Sequence, residues 1–332
     1  MKLEGHVNKE KYKAFCNDVF IPIFSKPWWM DAICGENNWD VWLYDKDGEV
    51  FAAAPYYMEK RGSYNYVTKA PLTQNNGLIL KYPKGQKLPA RYEFEEKIIN
   101  EFADFLEGMD LDVYEQQFHH TFNNWAPFFW RSFTEITRYT FVIEDTSNLE
   151  TVFEGFSANC RKNIRKAQKT VMIKEDLAPD EFYNLHETIF LRQGLKCPFS
   201  RELWSRLYEA CKKNNCGKII YAQDSNGNIH SLMFIVWDED ALYPLLGGYM
   251  EEYASSQSYS YLTYDSIRRA SEAGLKYDFE GSVIKRINHS FRNFGGIEKP
   301  YFRIRKVFNP EIVRKEAEDY IQRLESEKQK ND

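Results

Sequence analysis

The sequence predicts an α+β protein made of two tandem copies of one domain, each a mixed twisted sheet flanked by helices, followed by a C-terminal helix. Three repeated patterns predict it. The first is a hairpin: Trp42-Leu-Tyr-Asp-Lys-Asp-Gly-Glu-Val-Phe-Ala-Ala-Ala in the first half, and Ile220-Tyr-Ala-Gln-Asp-Ser-Asn-Gly-Asn-Ile-His-Ser-Leu-Met-Phe in the second. Both place apolar strands around Asp-Gly or Asn-Gly, residues that accept the positive φ of a tight turn. The second is a helix that runs through a glycine into a short Asp-bearing strand. It reads Phe105-Leu-Glu-Gly108-Met-Asp-Leu-Asp112-Val-Tyr and then Ala273-Gly274-Leu-Lys-Tyr-Asp278-Phe-Glu-Gly. The third is a Phe-rich helix (Phe128 to Phe133; Phe291 to Phe294) leading into a last strand, Arg138-Tyr-Thr-Phe-Val-Ile and Pro300-Tyr-Phe-Arg-Ile. A repeat longer than about 100 residues is a duplicated domain rather than a solenoid. A meander followed by helix and strand gives each copy its α+β character.

Taken in order, a helix is expected around Lys9–Phe20, then Phe24-Ser-Lys-Pro-Trp-Trp, then the hairpin at about 39–60. Residues 63–90 are rich in Gly, Pro and Asn and read as strands and loops. The spacing of Phe94, Ile98, Phe102 and Phe105 predicts a helix over Tyr92–Leu106. A strand ends near Asp145-Thr-Ser-Asn148, where Asn148 can cap the next helix, so the domains are expected at 1–147 and 148–308. The second half reads as helices at about 148–170, 178–193 and 200–215, the hairpin at 218–238 and a strand at 241–249. A helix at 257–273, strand 276–280, helix 283–294 and strand 299–306 follow. Asn309-Pro310-Glu311 then supplies a cap and a Pro at the first helical position for a charged helix within 309–332. Its apolar positions Ile312, Ala317, Tyr320, Ile321 and Leu324 are expected to pack on the body.

A chain of 332 residues suits two domains, and 22 Tyr with 24 Phe can line a sizeable cleft. The net charge of −5 argues against bulk coating of nucleic acid but leaves room for local basic patches. Six cysteines, at 16, 34, 160, 197, 211 and 216, form no CxxC pair and no zinc spacing, which implies free thiols in a reducing compartment. The first ten residues lack the apolar core of a signal peptide, and the longest apolar stretch, Val50 to Met58, is too short to span a membrane. The expected location is cytoplasmic. His119-His120 lacks further ligands at metal spacing, so no metal is expected. No P-loop, dinucleotide fingerprint or Ser-His-Asp order is present, which argues against an NTPase or a dehydrogenase.

Two segments of the second half together resemble a known family. They are Phe156-Ser-Ala-Asn-Cys-Arg161-Lys-Asn-Ile-Arg165-Lys-Ala-Gln-Lys, and Tyr277-Asp-Phe-Glu-Gly281-Ser with Phe291-Arg-Asn-Phe-Gly-Gly-Ile-Glu-Lys-Pro-Tyr301. They resemble the FemAB-like branch of the acyl-CoA N-acyltransferase (GNAT-like) superfamily, over about 148–306 and more loosely over 25–147. The resemblance implies two tandem GNAT-like domains, and an activity that moves an aminoacyl group from charged tRNA to a cell-wall precursor or an acyl group to an amine. The donor implied is acyl-CoA or aminoacyl-tRNA. The long coiled-coil arm of some tRNA-dependent members is absent. The loop where a glycine-rich acetyl-CoA signature would lie reads Met250-Glu-Glu-Tyr-Ala-Ser-Ser-Gln, without a glycine to let backbone amides cradle a pyrophosphate.

Arg161, Lys162, Arg165, Lys166 and Lys169 fall on one arc of a helix, with Phe156, Ile164 and Ala167 opposite, and no acidic residue occurs from Phe156 to Lys174. A solvated face usually mixes signs, so this one reads either as a site for a phosphate-bearing partner or as an unbalanced solvent face. At the end of strand 276–280, Asp278 and Glu280 share a face, Gly281 opens space, and Ser282 is a natural cap for a helix bearing Lys285, Arg286, His289 and Arg292. Acylating an amine needs a base, which Glu280 can be, and an oxyanion donor, which Lys285 can be. Alternatively the two carboxylates pair with nearby cations and hold the turn. Tyr243, Tyr249, Tyr253, Tyr259, Tyr261 and Tyr264 crowd the third strand and the next helix. Such rings line cores and clefts, and Tyr249 is the candidate to protonate a leaving group.

The sequence thus points to an N-acyltransferase whose amine acceptor binds between two domains. A tRNA-dependent aminoacyl transferase of the peptidoglycan-bridge type is one rival. The other is a non-catalytic module for an anionic glycan or nucleotide precursor.

Overall fold

The structure, a computed structural model, describes residues 6–331; residues 1–5, part of the segment read for a leader, lie outside that range. Its strands are β1 (Trp39–Lys46), β2 (Glu49–Arg61), β3 (Tyr64–Thr68), β4 (Ile79–Leu80), β5 (Val113–Gln117), β6 (Thr134–Ile143), β7 (Met172–Lys174), β8 (Gly217–Gln223), β9 (Ile229–Trp237), β10 (Ala241–Tyr249), β11 (Lys276–Asp278) and β12 (Ile297–Val307). Both hairpins are present. Asp47 and Gly48 turn the first with φ of 56° and 84°, as a two-residue hairpin requires.

The sheets of the two halves join into one, ordered β1-β2-β3-β5-β12-β6-β11-β10-β9-β8-β7, with β4 beside β2. The order is nearly symmetric about its centre. β3 runs parallel to β5 in one half, and β10 runs parallel to β11 in the other. At the centre β6 and β12 pair antiparallel from Ile297 opposite Val142 to Arg305 opposite Thr134. β12, made last, lies between β5 and β6, whereas β6 lies between β12 and β11. Each half therefore lends its final strand to the other. Alternation of side chains predicts such strands, but not which neighbour they take.

Apolar burial also fuses the halves. Helix Leu88–Glu107 lays Ile98, Phe102 and Leu106 against Trp42, Tyr114 and Phe128. In the second half Phe156, Ile164, Leu262, Tyr277 and Phe294 form a corresponding core. A third cluster crosses between them, and the Phe24 and Tyr243 rings there stand 5.3 Å apart. Buried Asp238 accepts from the Ile23 backbone N–H at 3.0 Å, adding a polar tie across the same seam.

Several elements depart from expectation for local reasons. The helix expected over 148–170 is two, Leu149–Gly155 and Ala158–Ala167, because Phe156 is extended and Ser157 caps the second by accepting from the Cys160 N–H at 3.2 Å. The strand expected to reach residue 280 stops at Asp278, since Glu280 and Gly281 take φ of 61° and 69°. Ser282 does not cap the following helix. Its hydroxyl accepts from the Ile284 N–H at 3.1 Å in a tight turn, and the helix runs Lys285–Arg292. Helix Pro27–Cys34 and strand β7 were not anticipated; Pro27 at the first turn was the available signal for the former. The C-terminal helix, Pro310–Asn331, starts as expected, with the Asn309 side chain accepting from the Glu311 N–H at 2.9 Å. Its packing does not follow. Ile312 is buried, but Val313, Tyr320, Ile321 and Leu324 are exposed, because the helix leaves the sheet after its first turn. No described helix is long and apolar enough to cross a membrane.

Candidate functional site

A small cavity opens beside the central ribbon where the exchanged strands meet, with room for about one water molecule (about 20 Å³). The first half contributes Phe24, Gln74, Asn75, Phe118, His120 and Thr140 to its wall. The second contributes Tyr243, Asp278, Glu280 and Tyr301. Gln74 and Asn75 are held in place from both sides. Thr73 accepts from the Trp29 indole N–H at 3.0 Å, and the Asn76 amide donates to the Phe24 carbonyl at 3.0 Å while its backbone N–H donates to the Gln117 carbonyl at 2.8 Å.

Asp278 and Glu280 meet here through a turn rather than a shared strand face. The Asp278 Oδ1 accepts from the Thr140 hydroxyl and, at 2.8 Å, from the Glu280 backbone N–H, which fixes the left-handed residue. Gly281 is required next, because a Cβ there would collide with the Tyr139 carbonyl oxygen. Glu280 Oε2 accepts from the Gln74 side chain at 2.9 Å; Oε1 is shut from solvent and has no hydrogen-bond partner. Burial pushes the Glu280 carboxyl up to about 8. The charge of Asp278 adds to the rise, and Lys69 and the Gln74 hydrogen bond oppose it. Asp278 is raised to about 6, again chiefly by burial, against its hydrogen bonds. His120 lies 4.0 Å from the Asp278 Oδ2, beyond hydrogen-bonding distance, and burial lowers its pKa. A glutamate that titrates near 8 and keeps one oxygen free can accept a proton from an incoming nucleophile.

The basic helix is Ala158–Ala167, so Lys169 lies just past its end. Arg161 donates to the carbonyls of Glu154 and Phe156, Arg165 lies 5.3 Å over the Phe153 ring, and Lys166 donates to the Ser255 carbonyl at 2.6 Å. Lys162 and Lys169 are exposed. None of the five meets a carboxylate among the described residues. The start of this helix adjoins the end of helix Lys285–Arg292, where the Ser157 N–H donates to the Asn293 carbonyl at 2.9 Å. Lys285, Arg286 and His289 are exposed on that second helix and do not line the cavity, and Ser282 is half-buried before it. Tyr249, at the end of β10, is half-buried and also lies off the cavity wall.

The turn after β10 is a 3-10 helix, Glu251–Ser256, rather than an open loop. The amides of Tyr253, Gln257 and Ser260 are taken by carbonyls of the same segment, and that of Ser258 by the Ser256 hydroxyl. These donors are closed to a pyrophosphate. β10 and β11 pair only from Ala241 opposite Lys276 to Leu242 opposite Tyr277, which leaves a splay beyond; farther along β10 the Tyr259 hydroxyl stands over Gly247, where a Cβ would come within 3.2 Å of it. Burial, then the Glu280 charge, push Tyr259 up to about 12. Sequence reasoning noted Tyr259 without assigning it a role. It assigned no role to Gln74, Thr140 or Tyr301, which reach the site only through long-range contacts.

Residues 155–284 match the model of the acetyltransferase (GNAT) domain, and the solved structure of FemX superposes on the chain with a TM-score of 0.68, covering 95% of this chain and 99% of that one at 12% identity. The matched segment is a GNAT-type acetyltransferase domain, and the chain as a whole shares the FemX fold. The same fold recurs in L-PGS from Bacillus licheniformis, at a TM-score of 0.54 and 13% identity over 95% of this chain and 96% of the other. It recurs too in the C-terminal domain of a putative lysylphosphatidylglycerol synthetase from Agrobacterium fabrum, at 0.56 and 11% over 95% and 96%. Identities this low establish the shared fold alone. Comparison with curated proteins finds no matching sequence. The GNAT match takes in both the basic helix and the turn carrying Glu280.

Proposed function

We propose that this acyltransferase moves an acyl group from an activated donor to an amine bound between its halves, with Glu280 as general base. The reading rests on one observation: a desolvated carboxylate, one oxygen unpartnered, on the wall of a cavity lined by both halves. The amine nitrogen attacks the donor carbonyl carbon, and the carbonyl electron pair moves to oxygen. Glu280 takes the proton that the nitrogen loses. When the carbonyl re-forms, the bond to the leaving oxygen or sulfur breaks and that atom takes a proton. We assign this proton to Tyr259 rather than Tyr249, since its hydroxyl faces the splay and feels the Glu280 charge. Lys285, exposed outside the cavity, is given no role in the reaction.

An aminoacyl-tRNA donor is favoured over acyl-CoA by two features. The closed turn at 251–256 offers no glycine-built cradle, and Arg161, Lys162, Arg165 and Lys169 suit a longer run of phosphates. A fold shared with the C-terminal domain of a putative lysylphosphatidylglycerol synthetase, by name the maker of an aminoacyl lipid, supports the same choice. The test is single-turnover acyl transfer with charged tRNA and acyl-CoA panels. Glu280→Gln should lower turnover by roughly 10²–10⁴-fold with the fold intact. The wild-type rate should climb with pH, reach half its plateau near 8 and level off above it, because the base works only once deprotonated. Full activity in the variant would refute the assignment. Donor binding without turnover on any donor would favour a binding module.

A further inference from the structure

The cavity-bearing face of the central ribbon carries more charge than the proposed reaction uses. Thr140 and Arg138 of β6 share that face with Tyr301 of β12, which stands opposite Arg138, and with Arg303, which stands opposite Ile136. Thr140 and Tyr301 line the cavity, so Arg138 stands on its rim. Arg303 pairs with Glu115 of β5. Arg138 has no hydrogen bond or ion pair among the described residues, and its Nε is shut from solvent without a partner. Lys69, just after β3, likewise lacks an ion pair; burial lowers its pKa most, the Glu280 charge opposes the fall, and Arg138 and Arg303 then add to it. Glu280 does not neutralise these cations by contact, since its Oε2 is taken by Gln74 and its Oε1 touches no donor. A guanidinium N–H hidden from water with nothing to donate to is unfavourable until an oxyanion arrives, and the planar fork of arginine suits one.

We propose that this floor between the halves, with Arg138 at its centre and Lys69 and Arg303 beside it, binds an oxyanion carried by the acceptor. The acceptor is then an amine that also bears a carboxylate or a phosphate, seated so that its nitrogen reaches Glu280. The second statement rests on the reading of Glu280 as the base, but the anion site can be tested without turnover.

The probes are inorganic phosphate and acetate, titrated into the full chain at constant ionic strength and followed by thermal shift and calorimetry. Wild type should be stabilised by at least one of them. Arg138→Gln should weaken that binding by about tenfold, the loss expected of a charge-assisted pair. Arg138→Lys, which keeps the charge but loses the fork, should bind more weakly than wild type while folding normally. The double variant Arg161→Gln/Arg165→Gln should keep the response, which separates this floor from the basic helix. A response to phosphate alone assigns a phosphate-bearing acceptor, and a response to acetate a carboxylate-bearing one. Glu280→Gln should keep or strengthen anion binding while losing turnover, so the two readings fail separately. No response in wild type to either probe, or undiminished binding in both Arg138 variants, would overturn the proposal.

Discussion

Glu280 combines a left-handed backbone, a carboxylate oxygen without a partner and a desolvated charge. A non-glycine residue held at such φ costs of order 1–3 kcal/mol and persists only where its surroundings enforce it. Here the enforcing groups are Asp278, which accepts from its N–H, and the close passage of Gly281 under the Tyr139 carbonyl. The pKa sets a second expectation. A carboxyl raised from 4.5 to about 8 binds its proton more tightly in the folded chain than in the unfolded one. Its favourable contribution is complete below about pH 4.5 and disappears as pH rises through 8, each unit of separation being worth about 1.4 kcal/mol. Denaturant midpoints of wild type and Glu280→Gln should therefore agree near pH 4 and part as pH rises, with the Gln variant the more stable at pH 8. Parallel curves across that window would show a carboxyl that titrates normally. Asp278 and Glu280 were legible in the sequence because a strand end, a glycine and two acids stand together. Arg138 was not, because its significance comes from Tyr301, a residue far away in the chain and directly opposite in the sheet.

Among the elements, the C-terminal helix shows most clearly where pattern stops. Its cap, its proline and its apolar spacing were all legible, yet spacing records only that a stripe exists, not what covers it. Past Ile312 the apolar side chains face solvent, and the polar ties to the body are Arg305 with Glu316 at 2.5 Å and Tyr64 with Glu311 at 3.3 Å. Exposed pairs of this kind are worth about 0–1 kcal/mol. Removing residues 317–332 should thus leave the melting temperature within a degree or two of wild type while lowering the helical circular dichroism. Ile312→Ala should cost about 2–4 kcal/mol, since it empties a buried position. A large drop in melting temperature on truncation would mean that the stripe is packed in solution. The basic helix was legible in its residues but not its length, because Ser157 is a cap only if Phe156 breaks the helix before it.

At the scale of the whole molecule, tandem hairpins and helix–strand units could be read from sequence because each is local. The exchange of β6 and β12 could not, because a lone strand pattern fits either half equally well. That exchange has a consequence in time. β5 is complete by residue 117, but the strand that will lie against it begins at Ile297, about 180 residues later. At synthesis rates of about 5–20 residues per second, the first half waits roughly 10–40 s with an open edge where β12 belongs, while β6 has neither of its neighbours. An unpaired edge of that age is a template for wrong pairing. Nascent chains arrested just short of Gly296 should accordingly stay protease-sensitive in both halves, and full protection should appear in one step once β12 has cleared the ribosome. Protection of residues 39–143 in the shorter chains would show that the first half closes alone. The two halves follow one another along the chain, but neither can finish folding until the last strand of the second has been made.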